Sequence, residues 1–80
     1  MTEKELIVGT SLESRSAAHF VQCASKFSSS ITIKCDDKQV NAKSIMGIIS
    51  LGILDGHNVT IAATGEDEES AVAALENFLK

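Results

Sequence analysis

The sequence predicts an α+β fold in which helices cover one face of a four-stranded antiparallel sheet. Three observations lead there. Apolar and polar residues alternate over Ile31-Thr32-Ile33-Lys34-Cys35 and again from His57 to Ala63, the period-two pattern of half-buried strands. Ala17, Phe20, Val21, Ala24 and Phe27, and later Ala71, Val72, Leu75, Phe78 and Leu79, recur at three- and four-residue steps, as on one face of a helix. The elements read in order as β-α-β-β-α-β-α, and a helix following each group of strands packs naturally as one layer on the sheet.

The first strand is expected at 4–8, Lys-Glu-Leu-Ile-Val, bounded by Gly9. The first helix starts near Ser14, with Ser14, Arg15, Gln22 and Lys26 mostly off its apolar face, and Ser28-Ser29-Ser30 ends it as a polar turn. After the strand at 31–35, Asp36-Asp37 makes a tight turn into a short strand, Gln39-Val40-Asn41. Ser44 heads a compact apolar helix over 45–51, with Gly52 just past its end, where a left-handed cap is common. Asp55-Gly56 turns the chain into the fourth strand, His57 to Ala63. The run Glu66-Asp67-Glu68-Glu69 is read as a solvated first turn of the last helix, its four acids matched to the helix dipole, with Lys80 complementing the other end.

Eighty residues are expected to form a single domain, 1–80, with a modest core and little room for a deep substrate cavity. The formal net charge of −4 and the scattered basic residues argue against direct nucleic-acid binding. No apolar run approaches the roughly 20 residues that span a bilayer. The charged start, Met-Thr-Glu-Lys-Glu, is unlike a secretory signal, so a cytoplasmic location is expected. Cys23 and Cys35 lack metal-ligand or C-x-x-C spacing and read as small buried hydrophobes. His19 and His57 read as packing or surface residues. No nucleophile–base signature, phosphate loop or paired-histidine motif is present, so neither an enzyme nor a metal or cofactor is expected.

Two segments stand out because polar residues precede a helix: Ser11-Leu12-Glu13-Ser14-Arg15-Ser16-Ala17-Ala18 and Asn41-Ala42-Lys43-Ser44-Ile45-Met46-Gly47. Helix N-termini present unpaired N–H groups and partial positive charge, and so hold anions well. Taken alone, Ser44 is ambiguous between a plain N-cap and something more. Its helix, however, carries Ile45, Met46, Ile48, Ile49 and Leu51, too many apolar positions for one buried face. Some must be exposed or shared with a partner, and an apolar patch beside a modifiable serine suggests a docking surface.

The element order and the two helix mouths resemble the HPr family, the small phosphocarriers of the bacterial sugar phosphotransferase system. The segment Asn-Ala-Lys-Ser-Ile-Met-Gly at 41–47 is similar, residue for residue, to the regulatory-serine segment of the Gram-positive members. Thr64-Gly65-Glu66-Asp67-Glu68 resembles the acidic start of that family's last helix. The resemblance covers nearly the whole chain and implies an open-faced β-sandwich.

In that family the first mouth reads Gly-Leu-His-Thr-Arg-Pro-Ala-Ala, and its histidine carries the phosphoryl group from enzyme I to EIIA domains. Here Leu12, Arg15, Ala17 and Ala18 are in register, Ser14 and Ser16 replace the threonine and proline, and Glu13 stands where the histidine would be. A carboxylate is a poorer nucleophile than imidazole near neutral pH. Glu13 is therefore expected to be a fixed anion, held by the helix dipole and by Arg15, with a charge that partly imitates a phosphohistidine.

The resemblance further implies that Ser44 is phosphorylated by an ATP-dependent HPr kinase/phosphorylase. The phosphorylated form would act as corepressor with a CcpA-type repressor in carbon catabolite control, as in the Crh-like subtype that lacks the histidine. Matched positions put Glu13, Arg15, Ser44, Ile45, Met46 and Ile49 at the partner surface. Two alternatives stay open at this point. One is a degenerate phosphocarrier that still binds enzyme I or EIIA domains. The other is a non-switched interaction domain in which Ser44 only caps its helix.

Overall fold

The computed structural model describes residues 1–80. The chain runs β1 (Thr2–Ile7), α1 (Ser14–Ser25), β2 (Ser30–Cys35), β3 (Lys38–Asn41), α2 (Ile45–Leu51), β4 (Asn58–Thr64) and α3 (Glu68–Leu79). All four strands join one antiparallel sheet in the order β1-β4-β2-β3, so the last strand is inserted between the first and second. The alternation that predicts β2 and β4 sets this register. Ile31, Ile33 and Cys35 lie opposite Ala63, Ile61 and Val59, and all six are buried on the helix-covered face. The intervening Thr32, Lys34, Thr60 and Ala62 face outward.

The helices bury the residues their spacing selects: Ala17, Phe20 and Ala24 from α1, and Ala71, Val72, Leu75 and Leu79 from α3. Phe20 meets Phe78 edge to face at 5.6 Å between ring centres and 74° between planes, a favoured aromatic geometry that joins α1 to α3. The eighteen buried apolar residues form one cluster. No helix is long and apolar enough to cross a membrane. Cys35 is buried and Cys23 half-buried, both as free thiols, in keeping with their reading as small hydrophobes.

Element limits shift by one or two residues from those expected, except for α2, which runs over 45–51 as read. His57 precedes β4 instead of opening it. Its Nδ1 accepts the Leu54 N–H at 3.1 Å, closing the turn before the strand.

The acidic run corrects the expectation of four acids in a solvated first turn. Only Glu68 and Glu69 lie in the first turn of α3, with Asp67 at the N-cap. Asp67 reaches across to the segment after α1, where its carboxylate accepts the N–H groups of Ser28 (2.9 Å) and Ser29 (3.0 Å) and the Ser29 hydroxyl. These bonds lower its pKa, the Ser29 hydroxyl contributing most. Ser29, read as part of a polar turn, is buried, its polar groups satisfied by Asp67.

Glu68 accepts the Thr2 hydroxyl at 2.6 Å and the Gly65 N–H at 3.1 Å, and pairs with the N-terminal ammonium at 3.1 Å. Led by the Thr2 bond, these contacts draw its pKa from 4.5 down to about 2. A carboxylate whose folded pKa lies below its unfolded value stabilises the fold above the unfolded pKa and loses that contribution as pH falls through the folded one. Stability should therefore fall with pH between 4.5 and about 2, and a Glu68→Gln chain should fall less steeply. Urea melts at several pH values across this window would check it.

Candidate functional site

The second helix mouth is built by a closed turn. Asn41 accepts the Lys43 N–H on its side-chain oxygen at 2.8 Å and the Ser44 N–H on its backbone carbonyl at 3.0 Å. This Asx geometry leaves Ser44 extended, with φ −105° and ψ 113°, at the N-cap of α2. The Ser44 hydroxyl accepts the Gly47 N–H at 3.1 Å, and its carbonyl accepts the Ile48 N–H at 3.0 Å. Serine in this role stabilises a helix by about 1 kcal/mol relative to alanine. The N–H groups of Ile45 and Met46 have no partner within the chain.

Gly47 keeps this mouth closely packed. A Cβ there would stand 3.0 Å from the Val40 Cβ and 3.3 Å from the Ser44 Oγ. Its absence lets α2 lie against β3 with the serine hydroxyl close to the helix backbone. Gly52 ends the helix in the left-handed region at φ 61°, as expected, and its N–H bonds the Ile49 carbonyl.

The apolar excess of α2 divides as anticipated. Ile48 is buried and Leu51 half-buried, while Ile45 (40 % exposed), Met46 (75 %) and Ile49 (45 %) face solvent. Leu54, in the loop after α2, is also exposed and was not singled out from sequence, where a lone leucine in a loop carries no periodic signal.

The first mouth is organised by serines. Glu13 is the N-cap of α1, with φ −105° and ψ −175°. Its N–H is accepted by the Ser16 hydroxyl at 2.9 Å, and that hydroxyl donates to the Ser11 carbonyl at 2.8 Å. The Ser11 hydroxyl in turn accepts the Asp55 N–H at 3.1 Å, and the Leu12 N–H bonds the Ile53 carbonyl at 2.9 Å. The loop after α2 is thereby tied to the start of α1, and α1 packs against α2.

One expectation fails here. Glu13 is not fixed by Arg15: both side chains are exposed, and the only ion pairs in the chain are Met1–Glu68 and Lys4–Glu76. On the exposed first turn of α1 the two side chains gain more from hydration than from a pair that would immobilise both. Glu13 instead shares a capping box with Ser16, three residues on, whose hydroxyl accepts the Glu13 N–H; a hydroxyl at that spacing is the signal sequence reading passed over.

Burial, and to a lesser extent Asp36, pushes the Cys35 thiol above its ordinary pKa, so it stays protonated near neutral pH. It lies 3.8 Å from His57 Nδ1. His19 is exposed on α1. The one hollow, about 280 Å³, lies on the outer face of the sheet among Glu5, Lys34, Asp36, Asn58 and Thr60 and touches neither mouth.

Comparison with known proteins agrees with this geometry. The family model described as "PTS HPr component phosphorylation site" matches residues 3–80. The HPr-like protein Crh of Halalkalibacterium halodurans is 48 % identical over 82 residues, covering 100 % of this chain and 98 % of the relative. The crystal structure of the phosphocarrier protein HPr from Bacillus anthracis superposes with a TM-score of 0.95 at 44 % identity, over 99 % of this chain and 96 % of that one. HPr-C-His from Thermoanaerobacter tengcongensis does so with a TM-score of 0.93 at 51 % identity, over 99 % and 91 %. With the fold and these full-length matches in agreement, the chain belongs to the HPr family and is an HPr-like, phosphotransferase-related protein similar to Crh.

Proposed function

We propose that this chain is a serine-switched regulatory module of the phosphotransferase system rather than a phosphocarrier. The observation that carries the reading is the contrast between its mouths. Ser44 places a hydroxyl at a helix N-terminus beside exposed Ile45, Met46 and Ile49, whereas the first mouth offers an exposed carboxylate at Glu13 in place of an imidazole.

In the proposed modification, the Ser44 oxygen attacks the γ-phosphorus of ATP on an HPr kinase/phosphorylase. The new O–P bond forms as the bond to the β,γ-bridging oxygen breaks; ADP leaves, and the hydroxyl proton passes to a base of the kinase. The phosphate then sits where the Ile45 and Met46 N–H groups lack partners and the dipole favours an anion, so the fold need hardly move. The change is electrostatic: about −1.5 to −2 charges appear beside an apolar patch. An arginine-bearing surface, such as that of a CcpA-type repressor, gains a charge-assisted contact while the apolar residues fill its pocket.

Calorimetry with such a repressor tests this. The phosphorylated chain should bind at least about tenfold more tightly than the unmodified one, since one well-placed charge-assisted contact contributes on the order of 1.5–3 kcal/mol. Met46→Asp, on an exposed position, should weaken that binding by about tenfold or more without changing the melting temperature appreciably. Equal affinities of both forms would sink the switch.

A second reading has its own support. Arg15 is exposed and unpaired beside Glu13, so the first mouth still presents a free guanidinium on the side tied to the α2 loop. A chain that docks enzyme I or EIIA domains without accepting phosphate would act as a competitor. Inhibition of phosphoryl transfer through an authentic HPr, lost on Arg15→Ala, would favour that reading.

A further inference from the structure

Lys43 precedes Ser44, yet its side chain leaves the mouth. Its Nζ donates to the backbone carbonyl of Phe27 at 2.8 Å, a partner sixteen residues earlier. Phe27 lies just beyond α1, its own N–H bonded to the Ala24 carbonyl at 3.2 Å. Carbonyls at a helix end lack intrahelical donors and carry partial negative charge, so the ammonium both satisfies one of them and complements the α1 dipole. Lys43 is half-buried, its side chain reaching from the residue before Ser44 to the carbonyl just beyond α1. With the two Asn41 bonds, this contact holds residues 41–44 from both sides. At the extended Ser44, successive side chains leave on opposite sides of the backbone, and the serine hydroxyl turns instead to Gly47.

We infer that Lys43 is a positioning residue for Ser44, clamping the mouth of α2 to the end of α1 while keeping its own charge off the serine. The inference rests on the reading of Ser44 as a phosphorylated residue. A lysine free to fold back would neutralise part of a new phosphate. Held on Phe27, it leaves the dianion for a partner to read, and the kinase meets a mouth already in shape.

Two measurements test this. In the first, steady-state phosphorylation by HPr kinase and ATP is compared for the wild-type chain, Lys43→Met and Lys43→Arg. Lys43→Met should raise KM about tenfold with kcat little changed, because a loosened mouth must be ordered on binding; Lys43→Arg, which can donate to the same carbonyl, should stay near wild type. Unchanged KM in Lys43→Met, or an equal loss in both variants, overturns the inference.

In the second, chains carrying genetically encoded phosphoserine at position 44 are titrated by phosphorus NMR. The second phosphate pKa should be the same with lysine or methionine at position 43. A higher value in the methionine chain would show that Lys43 neutralises the phosphate, and would likewise overturn it. If the kinase leaves the wild-type chain unmodified, the Ser44 reading fails, while the encoded phosphoserine still decides where the Lys43 charge lies.

Discussion

Replacing Ser44 with alanine should abolish acid-stable phosphorylation of the chain by HPr kinase and ATP, while lowering fold stability by about 1 kcal/mol. The two effects have separate causes. The stability loss comes from orphaning the Gly47 N–H that the hydroxyl now caps, and Ser44→Asn should recover most of it, since asparagine caps as well as serine. The phosphorylation loss comes from removing the accepting oxygen, and no cap restores that. Intact-mass measurement after the kinase reaction, with urea melts of both variants, separates them. An alanine chain that still gains a phosphate would place the modified residue elsewhere.

Gly65→Ala should destabilise the fold by about 2–4 kcal/mol. Gly65 has φ 152°, a conformation L side chains rarely adopt, and a Cβ there would meet the Ser29 Oγ at 2.6 Å and the Ser29 Cα at 2.8 Å. The backbone of Ser29 cannot yield without loosening its N–H and hydroxyl from Asp67, and with them the clasp between the end of α1 and the start of α3. Gly52→Ala is the control. Its φ of 61° is also unfavourable, but nothing lies within 4 Å of the added carbon, so it should cost only about 1 kcal/mol. Equal losses in the two variants, measured by urea denaturation, would show that backbone conformation alone decides and that the contact with Ser29 does not.

These residues also show where sequence reading succeeds and where it stops. β2 and β4 were readable because each contributes one face to a single core, and alternate burial writes period two into the chain. The span of α2 was readable from Ser44 and Gly52, whose capping is local. Its exposed patch was readable because seven residues cannot turn five large apolar side chains to one side. Asp67 and Glu68 were not. Their partners, Ser29 and Thr2, are 38 and 66 residues away, and such bonds leave no imprint on periodicity. The Lys43–Phe27 contact is hidden for the same reason. Glu13 shows the opposite error, in which opposite charges two residues apart were paired, whereas on an exposed helix start they stay separate.

The central claim is that the chain has kept a serine site and lost a histidine one. It is tested most directly by incubating the purified protein in parallel with enzyme I plus phosphoenolpyruvate and with HPr kinase plus ATP, then locating phosphate by intact and peptide mass spectrometry. The account predicts one acid-stable phosphate on Ser44 in the kinase reaction and none in the enzyme I reaction. An acid-labile phosphoryl group after enzyme I, on Glu13 or on either histidine, would contradict it.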